Sequence, residues 1–145
     1  VVIVEGGAVT QAGTIAEVTT RPRTRYVADL VGVTLLRGVA DGHTVRLAGG
    51  SAVDVADPVD GPTLVMIRPS SVSLHHQRHD TSARNQWSCR IAGFDLLGDR
   101  VRVRLDGEVG LVAEVTPASV AAMGLRDGDE VWATVKATDL VTYSE

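Results

Sequence analysis

The stretch NQWSCRIAGFDLLGDRVRVRL, Asn85–Leu105, decides the fold, because VTLLRGVADGHTVRL at Val33–Leu47 echoes it. The earlier stretch reads as a hairpin: strand VTLLRGVA, a turn at Asp41-Gly42, strand HTVRL. In the later one, DRVRVRLDG alternates strictly, placing Val101, Val103 and Leu105 inward and the arginines outward. A second echo follows. VMIRPSSVSL is matched by ATVKATDLVTY, each read as a closing strand with one basic residue, Arg68 or Lys136, at its centre. Two such halves predict a mainly β, OB-like barrel that buries its strand edges by closing.

Working outward, SAVDVAD and GPTLVMIRP continue the short-strand rhythm, and HHQRHDTSARN reads as a polar linker. Thr116–Leu125 predicts one short helix with Thr116 as N-cap, Pro117 at its first position and Gly124 at its end. The amino-terminal part differs. VVIV at Val1–Val4 is a β-branched run that predicts a strand buried on both faces in a parallel sheet, with AVTQAG returning from Gly6-Gly7. Thr14 and Glu17 have capping-box spacing. Pro22 suits the first turn of a further helix, with Tyr26, Val27, Leu30 and Val31 as its apolar stripe. The expected organisation is residues 1–32 as the tail of another domain and 33–145 as the barrel, divided into 33–74, a linker 75–81, and 82–145.

The 145 residues are 44% hydrophobic and 22% charged, a globular balance with no apolar run long enough to span a bilayer. A net charge of -4 and five aromatic residues argue against nucleic acid as a partner. The single cysteine, Cys89, excludes an internal disulfide, suits a reducing, cytosolic setting and reads as a small buried hydrophobe. No signal peptide is visible, and the missing initiator Met suggests a fragment. Without a G-x-x-x-x-G-K-[ST] stretch or a nucleophile motif, no enzyme activity is expected of this chain. His75, His76 and His79 have only Asp80 as a further candidate ligand, on a segment without a scaffold, so no metal site is expected.

Three polar clusters share a logic. Ser82 and Arg84 precede a strand, Thr116 and Ser119 bracket a helix start, and Lys136 is followed by Ala137. A tetrahedral oxyanion needs hydroxyls, backbone N–H groups and cations converging from several directions. The same residues also fit plain turn caps and solvated charges, and spacing alone leaves both readings open.

The amino-terminal stretch resembles the end of an ABC-transporter ATPase domain, through its last strand, Gly turn, Q-A-G-T segment and the helix containing Y-V-A-D. IRPSSVSL at Ile67–Leu74 resembles the transport-associated OB (TOBE) region that follows such ATPases. SARN at Ser82–Asn85, with Val115–Leu140, is similar to the molybdate-binding MOP module. The likeness implies the carboxy-terminal regulatory part of the ATP-binding subunit of a molybdate-type importer. By that likeness Ser82, Arg84, Thr116, Ser119, Lys136 and Ala137 would hold molybdate or tungstate. It further implies a homodimer through the barrel, permease partners, and a place on the cytoplasmic face of the membrane. ATP and Mg would belong to the motor portion alone. A ligand-free dimerisation domain from an importer of sugar, polyamine or sulfate is the rival reading. The chain departs from the MOP pattern at Cys89, where the module has glycine, and at DLLGDRVRV.

Overall fold

A computed structural model describes residues 1–78 and 85–145. The chain is mainly β and OB-like, built from two related halves. Strands β1 (Val2–Glu5) and β2 (Ala8–Ala12) form a hairpin, followed by helices α1 (Ile15–Thr20) and α2 (Arg25–Val31). Then come β3 (Thr34–Leu47), β4 (Ala52–Ile67), a 3-10 turn at Pro69–Ser71, and β5 (Ser73–His75). The second half holds β6 (Asn85–Leu97), β7 (Arg100–Gly107), β8 (Leu111–Val115), α3 (Pro117–Met123), β9 (Glu130–Val135), a 3-10 turn at Ala137–Asp139, and β10 (Val141–Ser144).

The internal echo is a register match. Thr34 pairs with Ile67 as Asn85 pairs with Val135. Ile67 and Val135 are each followed by one basic residue, Arg68 or Lys136, with extended backbone, and then by a 3-10 turn. The closing strands are exchanged between the sheets. β5 pairs with β9, joining the sheet β5-β9-β6-β7-β8, while β10 pairs with β4 in the sheet β10-β4-β3. The exchange is symmetric, since Leu74 lies opposite Ala133 as Thr142 lies opposite Val65, each pair 68 residues from the other. One core joins both sheets, with Val45, Val53, Val65 and Ile67 meeting Trp87, Ile91, Val103, Leu105 and Val131. β7 supplies Val101, Val103 and Leu105 to it, as its alternation predicts.

Several expectations are corrected. Asp41-Gly42 is a bulge within β3, where the register slips between Gly42 and Thr44, and the chain reverses at residues 48–51. Gly42 takes φ +63 there and donates its N–H to Asp60 Oδ1 at 3.0 Å. An Asp-Gly pair serves a bulge as well as a turn, because both need a left-handed glycine. SAVDVAD and GPTLVMI are one bent strand, β4. Lys136 is not mid-strand, since β9 ends at Val135.

At the amino-terminal end, β1 pairs antiparallel with β2 and is not buried on both faces: Val2 and Val4 are exposed. A β-branched run records an appetite for burial, and the partner at hand is one short strand. α1 has the predicted capping box. α2 starts at Arg25 behind Thr24, whose Oγ1 accepts the Val27 N–H, and not at Pro22. Its buried residues are Val27 and Ala28, leaving Tyr26 and Leu30 exposed. Pro22 is instead an acceptor, its carbonyl taking the Tyr143 hydroxyl proton. Among the described residues, no helix is long and apolar enough to cross a membrane.

Candidate oxyanion site

Thr116 caps α3 as its sequence position predicts. Its Oγ1 accepts the Ser119 N–H at 3.1 Å and donates to Ser119 Oγ at 3.0 Å. That arrangement leaves the Ser119 hydroxyl proton free to point outward from an exposed helix start. Lys136 opens the second 3-10 turn, with its carbonyl accepting the Asp139 N–H at 2.9 Å. Its side chain is exposed and has no hydrogen bond or ion pair among the described residues. Ala137, half-buried, lines an open hollow of about 450 Å³ with Thr138, His43, Asp54, Val55 and Ala56.

No residue of α3 lines the Ala137 hollow, and no hydrogen bond joins Thr116 or Ser119 to Lys136 or Ala137 among the described residues. Ser82 and Arg84 lie outside the described residues, as do His79 and Asp80. His75 and His76 reach separate partners: their Nε2 atoms lie 3.1 Å from Thr134 Oγ1 and 2.6 Å from the Met123 carbonyl.

The residue that sequence reasoning left without a role is Asn85. It is 3% exposed, and its Oδ1 accepts the Asp54 N–H at 2.8 Å while Nδ2 donates to the Asp54 carbonyl at 2.9 Å. A primary amide thereby imitates a β-ladder and ties the second half to the distal arm of the first. Asn85 also pairs with Val135, so the chain enters β6 at the end of the sheet where Lys136 leaves β9. Asn85 falls on the same inward row as Trp87, Cys89 and Ile91, and a polar residue at the head of that row was the available signal.

Cys89 occupies the register position held by Gly38 in the first half. Both strand crossings are tight. A Cβ on Gly38 would lie 2.4 Å from the Arg46 carbonyl oxygen, and one on Gly107 would lie 2.4 Å from that of Ser88. Gly107 faces Cys89, so in the second half the small residue stands on the opposite strand and leaves room for the thiol. Burial pushes the Cys89 thiol up to about 11, helped by Glu108 and Asp106, and burial pushes the Tyr143 phenol up to about 12. Both groups hold their protons more tightly when folded, so unfolding is favoured as pH rises from about 9 through 12. Urea melts at pH 8, 10 and 11 should show the midpoint falling across that series and steady below it. In Cys89→Ala the part of the fall between pH 9 and 11 should shrink.

These features define a class of protein: a two-half, OB-like β domain with exchanged closing strands, joined to a small α/β segment. Residues 81–141 match the TOBE domain family. Over most of its length it is homologous to import ATP-binding proteins. It is 32% identical over 139 residues to the molybdate/tungstate import ATP-binding protein WtpC of Pyrococcus horikoshii, covering 94% of this chain and 40% of that protein. It is 28% identical over 152 residues to the molybdenum import ATP-binding protein ModC of Mycobacterium tuberculosis, covering 99% of this chain and 41% of that protein. The chain thus spans about 40% of the length of these relatives. The fold matches that of the cytoplasmic molybdate-binding protein ModG, solved with molybdate bound, with a TM-score of 0.69 and 18% identity over 77% of this chain and 96% of that one.

Proposed function

We propose that this chain is the regulatory part of the ATP-binding subunit of a molybdate or tungstate importer, and that its barrel senses the imported oxyanion. The observation that carries this is Lys136, the only lysine in the sequence, which stands exposed and unpaired among the described residues at the start of a 3-10 turn. Homology to two molybdate-related import ATP-binding proteins supports the choice of solute. No hydrogen bond among the described residues joins Thr116 or Ser119 to Lys136 or Ala137, and no residue of α3 lines the Ala137 hollow, so the site we propose forms between two copies. One copy contributes the α3 start and the other the Lys136 turn, with Ser82 and Arg84 supplying further donors. The parent subunit works with permease partners at the cytoplasmic face of the membrane, and its motor portion holds ATP and Mg.

Sensing follows from differential affinity. An oxyanion that binds one packing of the dimer better than another shifts the pair toward it by that difference and no more. When the imported ion accumulates, the occupied barrel biases the motor portions away from closing on ATP, and import slows.

Titration calorimetry with molybdate, tungstate and sulfate tests the reading. Lys136→Ala should weaken molybdate at least tenfold, the loss of one charge-assisted hydrogen bond at about 1.5–3 kcal/mol. Amine acylation of Lys136 should slow when molybdate is present. Absence of heat and of any thermal shift at millimolar oxyanion would sink the sensor. One observation favours the rival, a ligand-free dimerisation domain: Asp54 lines the same hollow as Ala137 and repels an anion there.

A further inference from the structure

The turn at Pro69–Ser71 is the register counterpart of the one after Lys136, and it too opens onto a cleft, at the seam between α2 and the barrel. We propose that this cleft binds a small phosphate monoester through its dianionic phosphoryl group, independently of the oxyanion site proposed above. Its polar lining is Thr19, Arg68, Ser70, Arg102 and Glu114. Arg102 Nε is the buried side-chain nitrogen without a hydrogen-bond partner among the described residues. It lies 3.7 Å from Glu114 Oε1, close enough for attraction and too far for a hydrogen bond. That nitrogen is covered, so the part of Arg102 that can meet a ligand oxygen is the rest of its guanidinium, on a side chain 32% exposed and with no hydrogen bond among the described residues.

The rest of the lining suits an anion with an organic body. Glu114 is the one carboxylate in the cleft, and it is shared with Arg100 at 3.1 Å as well as with Arg102, which leaves a positive surplus. Arg68 is exposed, with no hydrogen bond or ion pair among the described residues, and the Ser70 hydroxyl stands on the adjoining turn. The Arg102 guanidinium is wedged against Gly32, where an added Cβ would come within 2.7 Å of it, so its direction is set by packing. The cleft, about 540 Å³ and open to solvent, is wider than a bare tetrahedral ion fills. Leu30, Val31 and Pro69 offer apolar surface to the remainder of the ligand.

Titration of the chain with glycerol 3-phosphate, and separately with inorganic phosphate, tests this. The monoester should bind saturably with a Kd below about 1 mM at pH 8. Binding should weaken below about pH 6 as the phosphoryl group takes up a proton. Arg68→Gln, at an exposed position that leaves folding intact, should weaken binding about tenfold or more, and Lys136→Ala should leave it unchanged. Arg102→Lys, which keeps the charge and moves the donor, should weaken it as well. Equal affinity for inorganic phosphate would overturn the monoester assignment in favour of the free ion. No saturation by either ligand up to about 10 mM, or full affinity in Arg68→Gln, would overturn the site itself. Because Lys136 is left intact in the Arg68 variant, either failure is separate from failure of the molybdate reading.

Discussion

Ending the chain after Leu140 should unfold the first half of the barrel while the sheet of the second half stays protected. The reason is the exchange of closing strands. β10 belongs to the second half in sequence, yet Val141–Ser144 pair with Met66–Thr63 of β4. Without it β4 becomes an edge strand, its backbone groups unpaired along that side. Tyr143, 7% exposed, packs on Leu64 and Met66, which are themselves fully covered. Losing a buried aromatic side chain alone costs about 3–5 kcal/mol, a large share of a domain's net stability. The cut also removes the Tyr143 bond to the Pro22 carbonyl and the Arg23 contact with the Ser144 carbonyl at 3.2 Å, which hold the amino-terminal segment to the barrel. Amide exchange should show β3 and β4 losing protection and β6 and β9 keeping it. Equal protection in both sheets of the shortened chain would contradict the exchanged pairing.

Asn85→Ala should be the most damaging single change at the candidate site. It leaves the Asp54 N–H and carbonyl without the partners they hold at 2.8 and 2.9 Å, beside a residue that solvent barely reaches. Two lost hydrogen bonds with stranded partners cost about 2–4 kcal/mol. In a chain of this size that lowers Tm by roughly 5–12 °C. Asn85→Asp should be at least as harmful, because a carboxylate offers the Asp54 carbonyl no donor. The ligand consequence is separable, since the amide fixes where the chain enters β6, beside the exit of Lys136. Molybdate affinity should therefore fall in Asn85→Ala even at temperatures where the variant is folded. A variant that melts with the parent chain would show that the amide bridge is dispensable.

Much of the architecture was legible along the chain. The strict alternation of β7, the Thr14 and Thr116 caps and the internal echo are local signals: side-chain periods and hydroxyl–amide bonds span only a few residues. The echo even marked the positions of Arg68 and Lys136, although each begins a 3-10 turn and neither lies within a strand. Where two structures share one local chemistry, the reading chose wrongly. Asp41-Gly42 suits a bulge and a turn alike, and only the pairing of β3 with β4 over their whole length selects the bulge. The apolar stripe of α2 was likewise misassigned, because the surface it packs on is set by contacts remote in sequence.

The sequence by itself determined two related β halves and the caps of its helices, because those depend on neighbours within a turn or a strand. Tertiary structure alone decided that the halves trade closing strands, that Asn85 grips Asp54, and that Arg102 is left with an unpaired nitrogen in the seam beneath α2. Each of these joins residues at least 31 positions apart or depends on what remains uncovered after packing. Such pairings are chosen by burial and register over the whole molecule, and no local pattern encodes them.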